Sequence, residues 1–128
     1  MARSQSDTND SSTGPTGAPV EPSEFAADRE KEEIVLVLEL YDKQAKDFEI
    51  PALAGRTVAE CRTNSDYPDD DRVVEVVYVP SLNYRLREER DMTWTRGQVL
   101  GMYEGNNLPR YNLQTYSVPV SRLRKIDT

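Results

Sequence analysis

The sequence predicts an α+β fold, in which a small, mostly antiparallel sheet carries one or two short helices. Two observations predict it. Two β-branched apolar runs each have the length of a strand, and clusters of Pro, Asn, Asp and Ser separate the apolar segments from one another. The chain contains no internal repeat and no sustained heptad pattern, so a helical bundle or a solenoid is not expected. Strands separated by loops and by short helices are typical of α+β domains.

The two strongest strand signals lie about forty residues apart. Residues 34–41 have the sequence IVLVLELY, which begins with consecutive apolar residues. A half-exposed strand would alternate apolar and polar residues, so the run predicts a strand whose first part is buried on both faces. Residues 73–79, VVEVVYV, contain five valines and end at Pro80, as a central strand would. We therefore expect Leu38 and Val76, which lie in these two runs, to be core residues.

Weaker signals follow the first strand. Residues 47–50 alternate in polarity and predict a short strand that forms a hairpin with residues 34–41. Thr57 and Glu60 have the spacing of a capping box, which indicates a short helix, with a strand as the alternative. Residues 64–71, NSDYPDDD, are predicted to form a loop.

The second half of the chain is less regular. Residues 81–92 fit either a short helix or an exposed loop. For residues 98–103 the sequence favours a strand slightly over a helix capped by Thr95, because glycines recur there and each costs a helix about 1 kcal/mol. Residues 111–118 alternate as a strand does, and residues 121–123 predict a closing helical turn. This outline resembles small SH3-like β-barrels, which are the alternative fold and imply no particular ligand.

The chain has the length of one domain with a tail. Residues 1–30 are rich in Pro, Gly, Ser and Thr and poor in large apolar side chains, which predicts a disordered acidic tail. Residues 31–128 then form a single globular domain. On this interpretation, deletion of residues 1–30 leaves the melting temperature almost unchanged.

Several functional classes are poorly supported. The chain has no His and one Cys, so the commonest general base is absent and neither an internal disulfide nor a cysteine metal cage can form. No glycine-rich phosphate-binding motif is present, and we predict no cofactor, no metal and no catalytic residue. Cys61 is expected to be a small buried side chain, and the aspartates of the 66–71 segment a solvated loop. No apolar stretch could span a bilayer and no secretion signal opens the chain, which predicts a cytoplasmic protein without a membrane partner.

The charge composition is unusual. The net charge is −7, and the 16 basic residues comprise 12 Arg and only 4 Lys. An acidic chain that is poor in Lys and in large apolar residues resembles the proteins of salt-in halophiles. On this interpretation the net charge reflects the solvent rather than the partner.

Charge is distributed unevenly along the chain. Residues 1–77 hold 8 basic and 18 acidic residues, whereas residues 78–128 hold 8 basic and 5 acidic residues together with most of the aromatic rings. Arg and aromatic side chains are enriched in protein interfaces and also suit phosphate contact with base stacking. The alternative is that the rings belong to the core and the arginines pair with the acidic half. The candidate interaction surface consists of Tyr84, Arg85, Arg87, Arg90, Trp94, Arg96, Arg110 and Tyr111.

These observations predict a non-enzymatic protein–protein interaction module, whose partner is another protein or a second copy of the chain. The first alternative is a nucleic-acid-binding protein that uses the Arg- and aromatic-rich C-terminal half. The second is a small enzyme that depends on a pair of carboxylates.

Overall fold

Five antiparallel strands form one sheet with the order β4-β3-β2-β1-β5. The computed structural model describes residues 20–50, 53 and 55–126. The strands are β1 (Phe25–Asp28), β2 (Glu33–Gln44), β3 (Arg72–Tyr78), β4 (Tyr116–Pro119) and β5 (Leu123–Lys125). The predicted α+β fold with a small antiparallel sheet is therefore confirmed.

Helical structure is concentrated between β3 and β4. The helix α1 (Val79–Leu82) continues directly into a π-helix (Asn83–Glu88), and α2 (Arg96–Glu104) follows after a short link. We call the segment 79–115 the insertion. Single 3-10 turns lie at Ala45–Asp47, Arg62–Asn64, Leu108–Tyr111 and Val120–Arg122.

The sheet is strongly curved because its two edge strands are almost consecutive in the chain. Pro119 ends β4 and Leu123 begins β5, so four residue steps span at most about 14 Å. Across a flat five-stranded sheet the edges would lie about 19 Å apart, at about 4.8 Å per strand. The sheet must therefore curl, so that its two edges lie closer together than in a flat sheet. It remains open, since within the described residues β4 pairs only with β3 and β5 only with β1.

Both faces of the sheet are covered, as the two continuous apolar runs predict. On the concave face, alternate residues of β2 and β3, among them Val37 and Val76, pack into one buried cluster with side chains of β1, β4 and β5. On the other face, Leu36, Leu38 and Val77 pack against the insertion. The insertion contributes five buried side chains to this outer cluster: Leu82, Leu86, Val99, Leu108 and Leu113.

The structure corrects the predicted tail boundary. Val20 is fully buried, and β1 lies between β2 and β5, so residues 20–30 are part of the fold. The composition gave little sign of this strand because its buried apolar side chains are the small Ala26 and Ala27, one on each face, while hydrogen bonds on both of its edges stabilise it. Residues 1–19 lie outside the described residues, and their predicted disorder stays a prediction.

The predicted hairpin between residues 34–41 and 47–50 is wrong. β2 runs to Gln44, which the 3-10 turn Ala45–Asp47 follows, and its ladders are with β1 over residues 33–36 and with β3 over residues 35–44, not with residues 47–50. Glu49 instead forms an isolated bridge with Thr57. Half of the predicted capping box is present, since the Thr57 N–H donates to Glu60 at 2.8 Å, and residues 62–64 form a 3-10 turn.

The slight preference for a strand at residues 98–103 is also wrong. Thr95 caps α2 through a complete capping box with Gln98, which satisfies two backbone N–H groups at the helix start. Gly97 and Gly101 face open space, so they lower helix propensity without disturbing any packing. The last predicted strand, 111–118, is shorter than expected, because Tyr111 still belongs to a 3-10 turn and pairing begins at Tyr116.

Truncation of the two predicted core residues tests both apolar layers. Leu38→Ala in the outer cluster and Val76→Ala in the concave cluster should each lower the free energy of unfolding by roughly 2–4 kcal/mol, since each leaves a cavity. Ile34→Ala is the matched control, because Ile34 lies on the same strand as Leu38 but is exposed, and should cost less than about 1 kcal/mol. Urea unfolding measures all three. Equal effects at Leu38 and Ile34 would contradict the two-layer arrangement.

Two N-terminal deletions separate the corrected boundary from the remaining tail prediction. Deleting residues 1–30 removes β1 and exposes edges of β2 and β5, so the protein should unfold or its melting temperature should fall sharply. Deleting residues 1–19 should leave the melting temperature almost unchanged if the tail prediction holds. Differential scanning calorimetry distinguishes the two, and an unchanged melting temperature for the longer deletion would refute the placement of β1.

Candidate interaction site

All eight residues of the predicted interaction surface lie in the insertion. Tyr84, Arg85 and Arg87 belong to the π-helix, and Arg90 comes two residues after its end. Trp94 precedes α2, and the remaining three residues lie on α2 or on the following 3-10 turn: Arg96, Arg110 and Tyr111. One segment of the fold therefore contains the whole predicted set.

Two arginines lie over tyrosine rings on this segment. The guanidinium carbon of Arg85 is 5.2 Å from the ring centre of Tyr84, and that of Arg90 is 5.0 Å from the ring centre of Tyr111. The Tyr84 side chain is 52% exposed, which is high for a large aromatic ring. Arg90 also donates to the Arg110 carbonyl oxygen at 3.3 Å, which joins the π-helix to the 3-10 turn. We call the Tyr84–Arg85 and Arg90–Tyr111 pairs the two Arg–Tyr stacks.

The other predicted residues take no part in these stacks with their side chains. Trp94 is half-buried against the outer cluster, and its indole N–H donates to Asn83 Oδ1 at 3.0 Å, so it supports the insertion instead of projecting from it. Arg96 reaches back to β1, where its guanidinium lies 5.4 Å from the ring centre of Phe25 and donates to the Ser23 carbonyl oxygen at 3.2 Å. Arg87 is exposed.

A cleft of about 1180 Å³ beside β4 was not predicted. Its lining includes the chain from Asn112 to Val118, together with Lys31 from the β1–β2 turn and Arg85 from the insertion. The rings of Tyr78 and Tyr116 meet there edge to face at 5.3 Å, and the Lys31 ammonium lies 5.1 and 5.8 Å from their centres. Sequence reasoning missed this group because its members come from three distant parts of the chain.

A buried ion pair lies at one side of the cleft. Arg122, 4% exposed, donates through Nε and Nη2 to the two carboxylate oxygens of Asp28, 1% exposed, at 2.8 and 3.0 Å. Its remaining nitrogen, Nη1, donates to Asn64 Oδ1 at 2.9 Å and to Thr63 Oγ1 at 3.2 Å. Tyr78 completes the group by donating its hydroxyl to Asp28 at 2.6 Å. This cluster joins β1, β3, the 62–64 turn and the turn before β5.

Opposing effects set the ionisation of this cluster. Burial by itself raises the pKa of Asp28, but the hydrogen bonds from Arg122 and Tyr78 outweigh it and hold the pKa below its usual value. Burial and donation to Asp28 raise the pKa of Tyr78, so its hydroxyl stays protonated and remains a donor. Asp28 is therefore ionised and fully engaged, which is typical of a structural carboxylate.

A second polar group lies on the face that the insertion covers. Glu39 and Glu75 are register partners on β2 and β3, which brings two carboxylates close together. Tyr103 donates to Glu39 at 2.5 Å, and its oxygen lies 3.3 Å from that of Tyr41. Burial raises the pKa of Tyr41 to about 12, so this phenol is a neutral hydrogen-bond donor.

Glu75 itself is buried and surrounded by donors. It accepts from Ser117 Oγ at 2.5 Å, from Tyr41 at 3.3 Å and from the Thr115 hydroxyl. Hydroxyl groups thus offset the repulsion between the two glutamates. The same contacts fix β4 and its preceding residues to β3.

Metal ligands, membrane spans and relatives provide no further guide to function. Within residues 20–50, 53 and 55–126, no three His, Cys, Asp or Glu side chains are grouped so that they could hold a metal ion. In the same part of the chain, no helix has the length and apolar character that crossing a membrane requires. Comparison with protein-family models, curated proteins and solved structures finds no significant match.

Breaking the buried pair should destabilise the fold strongly. Asp28→Asn leaves Arg122 buried without a counter-charge and should lower the free energy of unfolding by about 3–5 kcal/mol. Asp42→Asn is the matched control, since Asp42 is fully exposed and pairs with the partly exposed Arg72 at the surface, so its loss should cost far less than that of Asp28. Urea unfolding at neutral pH measures both variants, and equal costs would contradict the assigned role of Arg122.

The same pair predicts a pH dependence. Because folding lowers the pKa of Asp28 below 3.8, its stabilising contribution is present above that pH and is lost as the pH falls through the folded-state value. The difference in stability between the native chain and Asp28→Asn should therefore be constant from about pH 7 to about pH 5 and shrink below about pH 4. Unfolding curves at these pH values test this, and a constant difference down to about pH 3 would contradict it.

Proposed function

We propose that this protein is a non-enzymatic protein–protein interaction module that binds its partner through the insertion. The observation that carries the proposal is the pair of Arg–Tyr stacks, in which Arg85 lies over the exposed ring of Tyr84 and Arg90 over Tyr111. Tyr and Arg are among the residues that contribute most to protein-binding hot spots. Tyr84 is about half-exposed, so its ring is accessible to a partner, which supports this assignment.

The stacks are also preorganised. A guanidinium held over a ring has fewer rotamers to lose when a partner binds, so less ordering entropy opposes the association. Arg90 is further fixed by its bond to the Arg110 carbonyl oxygen, and Arg85 by its salt bridge with Glu89 at 3.0 Å. The outer cluster beneath them holds the backbone of the insertion against the sheet.

The charge balance favours a protein over a nucleic acid as the partner. The insertion holds five arginines and four acidic residues, and the whole chain has a net charge of −7. A polyanion is repelled by such a chain at long range, and binding to phosphates weakens steeply with salt. The third function, a carboxylate enzyme, has less support, because the buried carboxylates of Asp28 and Glu75 are both occupied by hydrogen bonds.

Single substitutions in the stacks test this function. The full-length tagged protein is used to capture and identify a partner, which is then purified and titrated by calorimetry. Tyr84→Ala and Arg90→Ala should each weaken the affinity by about tenfold or more, as hot-spot truncations do. Arg124→Ala is the matched control, because Arg124 is exposed on β5, outside the insertion, and should leave the affinity unchanged.

Two results would contradict the proposal. One is an equal loss of affinity in Arg124→Ala and Arg90→Ala, which would show general charge attraction in place of a defined surface. The other is retention of the protein on immobilised single-stranded DNA or RNA with an affinity that falls log-linearly with salt. That second result would favour the nucleic-acid function.

A further inference from the structure

We infer that the rings of Tyr78 and Tyr116 form a site for the ammonium group of a lysine on a partner protein, which displaces Lys31 from them. The inference rests on the proposed function in that the ligand is a protein. It concerns the cleft beside β4, which is a different surface from the two Arg–Tyr stacks, and it names the group on the partner that binds there.

The first argument is that a cation already lies over these rings. Their centres are 5.3 Å apart, and the Lys31 ammonium lies 5.1 Å from the centre of Tyr78 and 5.8 Å from that of Tyr116. Lys31 takes part in none of the ion pairs formed among the described residues, although Glu30 and Glu32 are its neighbours in the chain. The ammonium therefore lies on the rings and not on a carboxylate, which identifies the ring pair as the cation position of the cleft.

The second argument is the hydrogen bonding of the two phenols. The Tyr78 hydroxyl donates to Asp28 at 2.6 Å, and the Tyr116 hydroxyl donates to Gln114 Oε1 at 3.0 Å. A phenol that donates a hydrogen bond gains electron density on its oxygen and its ring, and the negative face of an aromatic ring attracts cations. Both hydrogen bonds therefore strengthen the attraction for an ammonium group, and the bond to the ionised Asp28 has the larger effect.

The third argument is the charge of the cleft. Arg85 and Arg122 line the cleft, but each is held in a salt bridge, of 3.0 and 2.8 Å respectively. Glu75 also lines it, and among the described residues no Lys or Arg side chain forms an ion pair with this buried carboxylate. Once Lys31 leaves the rings, the lining holds no unpaired positive charge. The net charge of −7 then attracts an incoming cation.

The fourth argument is that Lys31 can be displaced. Its side chain is exposed in the turn between β1 and β2, and cation–π contacts at exposed sites are weak. Tyr116 is 42% exposed, so a ligand can reach its ring without any unfolding of the sheet. Because Lys31 belongs to the same chain, it competes at a high effective concentration and lowers the affinity that a partner's lysine can reach.

These arguments favour a lysine over other ligands. The position that Lys31 occupies is that of an ammonium group, so the same group on a partner can replace it. An acidic segment or a nucleic acid would find no unpaired cation in the lining apart from Lys31 itself. A free alkylammonium ion has the same chemistry as the lysine, and it becomes an outcome of the test.

The probe is a blocked pentapeptide with one lysine between glycines, titrated into the full-length protein with ¹³C-labelled tyrosine. In Lys31→Ala, the aromatic signals of Tyr78 and Tyr116 should shift on titration. The native protein should show the same shifts with an affinity about tenfold weaker or more, because Lys31 competes for the rings. The same peptide with Nε-acetyl-lysine carries no charge and should shift the signals of neither protein.

Further variants separate the rings from general charge attraction. Lys125→Ala removes the same charge from β5, outside the cleft, and should bind the peptide no more tightly than the native protein does. Lys31→Ala combined with Tyr116→Leu should not bind the peptide. Lys31→Ala combined with Tyr116→Phe keeps a ring at this position and should still bind it. Amide spectra of each variant establish that it is folded.

Three results would overturn the inference. Two of them are equal affinities of the native protein and Lys31→Ala, and equal responses to the charged and the acetylated peptide. The third is a response to tetramethylammonium chloride without one to the lysine peptide, which would assign the rings to a free cation.

The two proposals fail separately. The peptide titration involves neither Tyr84 nor Arg90, so it stands if substitutions in the stacks leave partner binding unchanged. Conversely, a partner that depends on Tyr84 and Arg90 supports the proposed function even when the lysine peptide does not shift the tyrosine signals.

Discussion

The buried ion pair of Asp28 and Arg122 connects four parts of the fold that are distant in the sequence: β1, β3, the 62–64 turn and the turn before β5. Arg122 lies in the turn between the two edge strands, and Asp28 ends the strand next to β5, so the pair fixes how far the sheet curls. Removing two charges from water is costly, and the cost is offset here because the six hydrogen bonds made by the two side chains leave few donors or acceptors unsatisfied. The pair therefore determines geometry more than it adds net stability.

Curvature and two-sided burial together determine where the insertion lies. Once the concave face is filled by valines, the leucines on the other face of β2 need a cover, and the insertion between β3 and β4 provides it. Its buried side chains fix its inner face, which leaves Tyr84 and Arg90 exposed, while Tyr111 packs partly against the outer cluster. The hydroxyl groups around Glu75 then hold β4 on one side only and leave its other edge beside the cleft.

Elements whose signal is local were predictable from the sequence. The continuous apolar runs of β2 and β3 indicated burial on both faces, and the Tyr84–Arg85 stack joins neighbouring residues that the Arg and aromatic pattern had already marked. β1 was not predictable, because Ala26 and Ala27 carry little hydrophobic signal and its stability comes from two strands distant in the chain. The helix α2 was misjudged because glycine propensity was weighted above the Thr95 cap. The cleft was missed since Lys31, Tyr78 and Tyr116 meet only in the folded state.

The pairing of β1 with β5 has a consequence for how this protein folds. Asp28 and Arg122 lie 94 positions apart in the chain, and the neighbouring strands pair at nearly the same separation. A contact of such high sequence separation carries a large loop-closure entropy and slows folding relative to local pairing. During synthesis, β1, β2 and β3 emerge from the ribosome long before β5, so the outer edge of β1 stays unpaired until β5 has been made. That interval is when the nascent chain is most open to pairing with the wrong strand.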